Sequence, residues 1–177
     1  MRCAMHFAPD VDPAMPGGQS GSGERTAARL AAVQALYQMS ITGVSADGVI
    51  GEFIEHRFGR EIDGLVYEGA DRAFFEDLVR GVTTRDAEIT TQVQSALDKN
   101  RDLDRLEKIL AAVLRAGTFE LLTRIDVPAR VVISEYVDVA HAFFEGPQPG
   151  FVNGVLDKLA RQVRSAEMAG QTQKGAA

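Results

Sequence analysis

The sequence predicts an all-α fold of six to seven helices, and two observations lead to this prediction. Apolar residues recur at helical spacing through most of residues 24–164. No segment of useful length shows the alternation of apolar and polar side chains that a half-buried strand requires. Because only short connections separate the helical patterns, we expect the helices to pack as a bundle.

The N-terminal half of the chain contains three helical patterns. They cover residues 24–40, 46–58 and 70–98, and a loop with three glycines, residues 57–69, separates the second from the third. Within the third pattern, Gly81 and the threonine pair 83–84 are weak helix formers. We therefore expect a bend or a close contact at these residues.

The C-terminal half contains three further patterns. Asp102 or Asp104 caps the first of them, which ends before Pro128 because proline starts a new helix more readily than it continues one. Residues 131–144 are apolar on nearly all sides, so we expect this segment to be the central buried helix. Residues 151–164 form the last predicted helix.

Both ends of the chain are predicted to be disordered tails. Residues 1–23 are rich in proline and glycine and lack apolar periodicity, and residues 169–177 have a similar loose composition. The helical domain is therefore expected to cover residues 24–168.

The composition of the 177 residues is that of a globular protein, with 45% hydrophobic and 25% charged side chains. No apolar run is long enough for a membrane span, and the N-terminus does not resemble a signal peptide. The single cysteine, Cys3, excludes an internal disulfide. These features together predict a cytoplasmic protein.

The net charge of −6 argues against a strongly basic nucleic-acid-binding protein, but the charge is unevenly distributed. Residues 44–98 hold 12 acidic and 5 basic side chains, whereas residues 157–177 hold 2 acidic and 4 basic ones. This asymmetry permits a local RNA-binding face on an acidic protein.

No constellation of catalytic residues is recognisable in the sequence. The three histidines, at positions 6, 56 and 141, lack the spacing of metal ligands. There is no phosphate-binding glycine loop and no nucleophile turn around a serine. We therefore expect a protein that is not an enzyme and that has no catalytic residues, metal site or cofactor.

Four residues have side chains suited to RNA. Arg25 and Arg29 are four residues apart on one helix and share a face, and guanidinium groups suit phosphates and base edges; a solvated surface is the alternative. Phe151 follows a turn and is either a core anchor or a stacking platform for an unpaired base. Asn153 would bond a base edge or a neighbouring loop.

Four segments of the chain occur in the order and spacing of the NusB family of transcription antitermination factors, which residues 24–165 resemble. The last of these segments is the most specific of the four. The segments are Ala32–Tyr37; Val113–Arg115 with Phe119–Leu121; Asp126–Pro128 with Val132–Glu135; and Phe151–Lys158.

The resemblance implies two packed three-helix subdomains, about 24–98 and 99–168, and no catalysis. NusB-like proteins bind the boxA element of ribosomal RNA operon transcripts together with NusE, a protein of the small ribosomal subunit. The complex joins RNA polymerase with other Nus factors and suppresses premature termination. Members are monomers or homodimers, and the sequence does not decide between the two states.

The resemblance also implies roles for particular residues. Arg25 and Arg29 lie on the helix that carries much of the family's RNA contact, Tyr37 matches the aromatic residue that ends its motif, and Phe151 matches an aromatic residue near the RNA surface. With Asn153, these four residues form the predicted RNA-binding set.

Three departures from the family pattern bear on the expected contacts with RNA and with NusE. Thr26 and Ala27 stand where relatives often have arginine, Leu110 and Ala111 replace an acidic–basic pair, and the turn at 146–150 lacks acidic and hydroxyl residues. A protein-interaction module that binds NusE without RNA is therefore one alternative, and a dimer that hides the RNA face is another. A third, the N-terminal domain of an RNA cytosine methyltransferase, requires a further Rossmann-like domain with a catalytic cysteine, which we do not expect.

Overall fold

A computed structural model describes the backbone of residues 20–59, 61–62, 65–66 and 69–172. Side chains are described for residues 23–59 and 69–170. Within these ranges the chain forms eight α-helices, so the predicted all-α fold is confirmed. The helices are α1 (Ser20–Thr42), α2 (Ala46–His56), α3 (Arg72–Thr84), α4 (Asp86–Ala96), α5 (Lys108–Thr123), α6 (Ala129–His141), α7 (Gln148–Val163) and α8 (Ser165–Thr172).

Polar side chains start two of the early helices. Ser45 caps α2 by accepting a hydrogen bond from the backbone N–H of Gly48 at 3.2 Å. Asp71 caps α3 by accepting one from the backbone N–H of Phe74 at 2.9 Å. Each cap satisfies a donor that the first turn of a helix leaves without an intrahelical partner.

The predicted loop at 57–69 contains a short β-hairpin. Strand β1 (Glu61–Ile62) pairs antiparallel with β2 (Leu65–Val66), with Glu61 opposite Val66 and Ile62 opposite Leu65. With two residues in each strand, the hairpin is a local feature of the connection between α2 and α3 and leaves the fold class unchanged.

The bend expected at the two threonines is present, and it separates α3 from α4. Helix α3 ends at Thr84, and Arg85 lies between the two helices. The hydroxyl of Thr83 donates to the carbonyl oxygen of Val79 at 2.8 Å, and that of Thr84 donates to the carbonyl oxygen of Arg80 at 2.7 Å. Hydroxyl bonds of this kind compete with the helical ladder and favour a bend.

The central helix of the bundle is α5, so the prediction for residues 131–144 is wrong. Helix α5 packs against α1, α3, α4, α6 and α7 and is buried over most of its length. In the predicted segment, Val131 is 46% exposed and Val137 is only partly buried. Apolar content alone does not identify the central helix. The buried residues of α5 include Ala111, Ala112, Ala116 and Gly117, whose small size lets neighbouring helices pack closely on several sides.

The start of α5 also differs from the prediction. Asp102 caps a 3₁₀ turn (Leu103–Arg105) by accepting a hydrogen bond from the backbone N–H of Asp104 at 3.1 Å. Helix α5 begins only at Lys108, after this turn. Pro128 directly precedes α6, as the sequence predicts.

The helices extend into both predicted tails. Helix α1 begins at Ser20 and α8 continues to Thr172, whereas residues 1–19 and 173–177 lie outside the described residues. The buried apolar side chains of α1 to α8 form one core cluster. The division into subdomains 24–98 and 99–168 stays a prediction.

The junction of α7 and α8 holds the connection between α5 and α6. Arg164, at this junction, is 9% exposed and donates to four backbone carbonyls, those of Glu120, Leu121, Arg124 and Val127. Three of them belong to the C-terminal end of α5 or its cap. The carbonyls of Leu121 and Arg124 lie in the last turn, where helix carbonyls lack intrahelical partners, whereas that of Glu120 also accepts from the backbone N–H of Arg124. A cation at this end of a helix is also favoured by the helix dipole.

The opposite side of the same connection is capped by an acid. A carboxylate oxygen of Glu167 accepts a hydrogen bond at 2.7 Å from the backbone N–H of Ala129, the first residue of α6. Met168, one residue further, is 2% exposed in the core. Helix α8, which the sequence analysis did not predict, therefore stabilises the turn between α5 and α6.

A tight contact between α3 and α5 gives the first testable prediction. A Cβ atom at Gly81 would lie 2.1 Å from the ring of Phe119, whereas one at Gly51 of α2 would meet nothing within 4 Å. We expect Gly81→Ala to lower the free energy of unfolding by about 1–3 kcal/mol through overpacking. Gly51→Ala, the matched control, should raise it by up to about 1 kcal/mol. Urea denaturation measures both, and equal effects would contradict the packing argument.

Candidate nucleic-acid interface

A buried ion pair joins the first turns of α1 to the end of α5. Arg29 is 3% exposed and Glu120 is fully buried. The guanidinium donates through Nε to Oε2 of Glu120 at 3.0 Å and through Nη2 to Oε1 at 2.5 Å. This two-point geometry is the strongest that an arginine and a carboxylate can form.

The same guanidinium also reaches α6. Its Nη1 atom donates to Oε2 of Glu135 at 3.0 Å, and the hydroxyl of Thr26 donates to the same oxygen at 2.7 Å. Glu135 is more accessible than Glu120, with 19% of its side chain exposed. One arginine therefore connects α1, α5 and α6.

Burial and the charge of Glu120 shift the pKa values of Arg29 and of the neighbouring Tyr136. Burial alone would lower the pKa of the Arg29 guanidinium, but the hydrogen bonds and charge of Glu120 outweigh it, and the pKa is raised. Burial raises the pKa of the Tyr136 hydroxyl well above its ordinary value, and the charge of Glu120 adds to the effect. Arg29 is therefore charged and Tyr136 neutral at physiological pH.

The sequence analysis places Arg25 and Arg29 on one exposed face of α1, and for Arg29 this placement is wrong. The sequence spacing is correct, but the guanidinium of Arg29 is turned into the protein, where two carboxylates use its donors. A donor set used in this way is not free for a phosphate or a base edge. The role that the resemblance gives Arg29 in RNA contact stays a prediction, which this burial disfavours.

Arg25 lies at the rim of this network and is half-buried. Its guanidinium carbon is 5.4 Å from the ring centroid of Phe74, and those of Arg29 and Arg124 lie 5.2 Å and 5.0 Å from the same centroid. Arg124 is paired with Asp77 at 3.8 Å. Within residues 23–59 and 69–170, Arg25 forms no ion pair, so its charge is available at the surface.

Tyr37 lies about 18 Å along α1 from Arg25, as the rise of a helix requires. It is 40% exposed, and two further apolar residues near it are exposed, Ile41 by 59% and Val44 by 39%. We call these three residues the α1 apolar patch. Tyr37 and Ile41 are four residues apart and therefore share a helix face.

A cleft of about 360 Å³ opens where α1, the α3–α4 junction and α5 meet. Leu36, Met39 and Ser40 of α1 line one side, so the cleft lies beside the α1 apolar patch. Its other side carries Asp86 and Arg115, which are paired with each other. An apolar patch with a polar border is typical of a surface that binds another protein.

Phe151 and Asn153 lie on α7, away from α1. Phe151 packs partly against the core, and the guanidinium carbon of Arg101 lies 4.7 Å from its ring centroid. Asn153 is exposed and lines a second cleft of about 220 Å³ with Arg130 and Ser134 of α6. The predicted set is therefore divided between α1 and α7, each of which packs on α5.

Sequence reasoning missed Glu120, Glu135 and Arg101. The sequence did indicate that Glu120 is unusual, because it is an acidic residue between Phe119 and Leu121 in a helix whose neighbouring residues are mostly apolar. A carboxylate in such a place needs a cation, but its partner is 91 residues away in sequence. The spacing of residues within one helix cannot identify a partner that lies so far away in the sequence.

In the part of the chain that the structure describes, no group of three or more His, Cys, Asp or Glu side chains is arranged to hold a metal ion. None of the described helices is both long enough and apolar enough to cross a membrane.

The helical bundle, its surface arginine and aromatic residues and its α1 apolar patch define an all-helical binding protein. Comparison with known proteins makes this class more specific. The family model for the NusB family matches residues 26–161, and the chain belongs to this family.

Curated relatives give the same assignment. The transcription antitermination protein NusB of Caulobacter vibrioides is 54% identical over 140 residues, which cover 79% of this chain and 94% of the relative. That of Rhodopseudomonas palustris (strain BisB18) is 50% identical over 160 residues, covering 90% and 94%. Both relatives are transcription antitermination proteins, and together with membership of the NusB family they confirm the prediction that the chain is not an enzyme.

Solved structures show the same fold. NusB of T. maritima has a TM-score of 0.64 and 27% identity, and the match covers 82% of this chain and 96% of that one. A crystal structure of the antitermination factors NusB and NusE with double-stranded RNA has a TM-score of 0.66 and 24% identity, covering 79% and 98%.

The buried ion pair gives the second testable prediction. Arg29→Met leaves Glu120 buried without its cation, so we expect it to lower the free energy of unfolding by about 3–5 kcal/mol. The double variant Arg29→Met with Glu120→Leu should recover most of this loss, because two apolar side chains replace the whole pair. Chemical denaturation measures both variants. Wild-type stability in Arg29→Met would show that the pair does not hold α1.

Proposed function

We propose that this protein is an RNA-binding transcription antitermination factor. In this proposal it binds the boxA element of ribosomal RNA operon transcripts together with NusE and suppresses premature termination. Membership of the NusB family supports the general function, as do relatives named as transcription antitermination proteins. The shared fold with a NusB–NusE–RNA complex supports RNA and NusE as partners.

The observation that carries the RNA part is the fixed position of Arg25. The first turns of α1 are held by Thr26 and Arg29, which hydrogen-bond to Glu135 and Glu120 of the bundle. Arg25, between them and the solvent, has its guanidinium over Phe74 and no ion-pair partner among the described side chains. A cation that is positioned in advance loses less entropy when a phosphate binds it.

The protein partner follows from charge and from the α1 apolar patch. With a net charge of −6, the protein alone should bind RNA weakly, because it has few cations with which to neutralise phosphates. A basic ribosomal protein such as NusE would supply the missing charge. Tyr37, Ile41 and Val44, beside the 360 Å³ cleft, offer it an apolar docking surface.

Electrostatic attraction should assist this docking. The excess of acidic residues in 44–98 attracts a basic partner over distance. If high salt left NusE binding unchanged, this electrostatic part of the proposal would be wrong.

A second candidate function is a protein-interaction module that binds NusE without intrinsic RNA binding. The burial of Arg29 favours it, because only one of the two predicted α1 arginines remains at the surface.

Under the main proposal the protein also joins RNA polymerase and other Nus factors in the cytoplasm, as a monomer or a homodimer.

One titration separates the two functions. Fluorescence anisotropy of a labelled boxA RNA is measured at several salt concentrations, with and without NusE. Salt-dependent binding that tightens with NusE and is lost on a scrambled RNA supports the main proposal. NusE binding without any RNA binding in either condition would replace it with the protein-interaction module.

Arg25 gives the third testable prediction. We expect Arg25→Ala to weaken RNA binding in the NusE complex by about fivefold and to reduce the salt slope by about 0.7–0.9, the value for one phosphate contact. Its melting temperature should stay near that of the wild type, because the Arg29 network is intact. Arg85→Ala removes an equal charge from an exposed pair with Glu88 and serves as the control.

Equal effects of Arg25→Ala and Arg85→Ala would mean that only net charge matters, which would remove Arg25 from the RNA surface. An unchanged affinity in Arg25→Ala would have the same consequence.

The α1 apolar patch gives the fourth testable prediction. We expect Ile41→Asp to weaken NusE binding by at least about tenfold, because a charge would be buried in an apolar contact. Ile125→Asp is the matched control, since Ile125 is an isoleucine with 84% exposure on the α5–α6 turn. Calorimetry measures NusE binding to both variants. Normal binding by Ile41→Asp would show that NusE docks elsewhere.

A further inference from the structure

The segment between α4 and α5 holds Arg101 in a fixed position. The side-chain amide of Gln94, on α4, donates to the carbonyl oxygen of Arg101 at 2.8 Å and accepts from the backbone N–H of Leu103 at 3.1 Å. The backbone N–H of Arg101 donates to the carbonyl oxygen of Asp98 at 2.8 Å. Leu103 is 2% exposed and anchors the segment in the core. The backbone at Arg101 is therefore constrained on both sides.

The side chain of Arg101 covers the ring of Phe151. Its guanidinium carbon lies 4.7 Å from the ring centroid, a distance at which the cation is attracted to the face of the ring. Phe151 packs partly against the core, whereas Arg101 is exposed. The stack therefore runs from the core through Phe151 to Arg101 and then to solvent.

The charge of Arg101 is not neutralised by a neighbour. Within residues 23–59 and 69–170, the ion pairs include most arginines of the bundle, among them Arg29, Arg80 and Arg115, but none includes Arg101. Its planar outer face and its donors are both available to a ligand.

We propose that Arg101, stacked on Phe151, is the platform on which an unpaired RNA base stacks. Guanidinium planes accept bases in this way, and the donors at the edge of the group remain free for phosphate or base oxygens. This inference rests on the proposed RNA-binding function and refines it. Phe151 acts through Arg101, because the guanidinium, rather than the aromatic ring, presents the outer face.

The test compares four proteins in their complex with NusE: the wild type, Arg101→Ala, Arg101→Lys and the control Arg85→Ala. A labelled single-stranded boxA RNA is titrated by anisotropy, and a fully paired duplex of the same sequence is titrated in parallel. Melting temperatures check that each variant is folded. Arg101→Lys keeps the charge and removes the plane, so it separates stacking from simple attraction.

We expect Arg101→Ala to weaken binding of the single strand by about tenfold, within the range for loss of one stacked base. Arg101→Lys should recover little of this loss while keeping the wild-type salt slope. The duplex should bind the wild type and Arg101→Ala with similar affinity, because its bases are already stacked on each other.

Three results would overturn the inference. They are wild-type affinity in Arg101→Ala, full recovery in Arg101→Lys, and an equal loss in Arg85→Ala. Absence of RNA binding by the wild-type complex would be a different result, since it would overturn the proposed function itself.

Discussion

The position of α1 depends on the ion pair between Arg29 and Glu120. Helix α1 supplies the surface arginine and the apolar patch on which both proposed contacts rely, and its first turns are tied to the bundle by this pair. The cost of burying two charges is high, and it is offset only because both oxygens of Glu120 accept hydrogen bonds and Glu135 uses a further donor. Loss of Arg29 leaves the buried carboxylate of Glu120 without a cation, whereas loss of Glu120 leaves Arg29 with Glu135 alone.

Four arginines of this protein differ in how their donors are used. Arg29 and Arg164 are buried and have their donors satisfied by carboxylates or by backbone carbonyls, so they maintain the arrangement of helices. Arg25 and Arg101 lie over aromatic rings, as Arg29 also does, but no carboxylate among the described side chains pairs with them. Stacking on a ring orients a guanidinium without using up its donors, which leaves it ready for a ligand.

The sequence predicted the helices well because helical periodicity is a local property. It located the α3–α4 bend from Thr83 and Thr84, whose hydroxyl bonds also act locally. It failed for the central helix and for Arg29, since burial depends on which helices surround a residue. Within α1, Arg25 and Arg29 have equivalent spacing, and only Glu120, far along the chain, distinguishes the surface residue from the buried one.

The cap that Arg164 places on α5 has a consequence for synthesis of the chain. The carbonyl oxygen of Arg124 meets its partner 40 residues later in the sequence, and Glu167 caps α6 from a still later position. A ribosome therefore releases the central helix long before the side chains that complete its end have been made. The ends of α5 and α6 therefore stay incomplete until Arg164 and Glu167 have been made, and folding of the bundle waits for these residues.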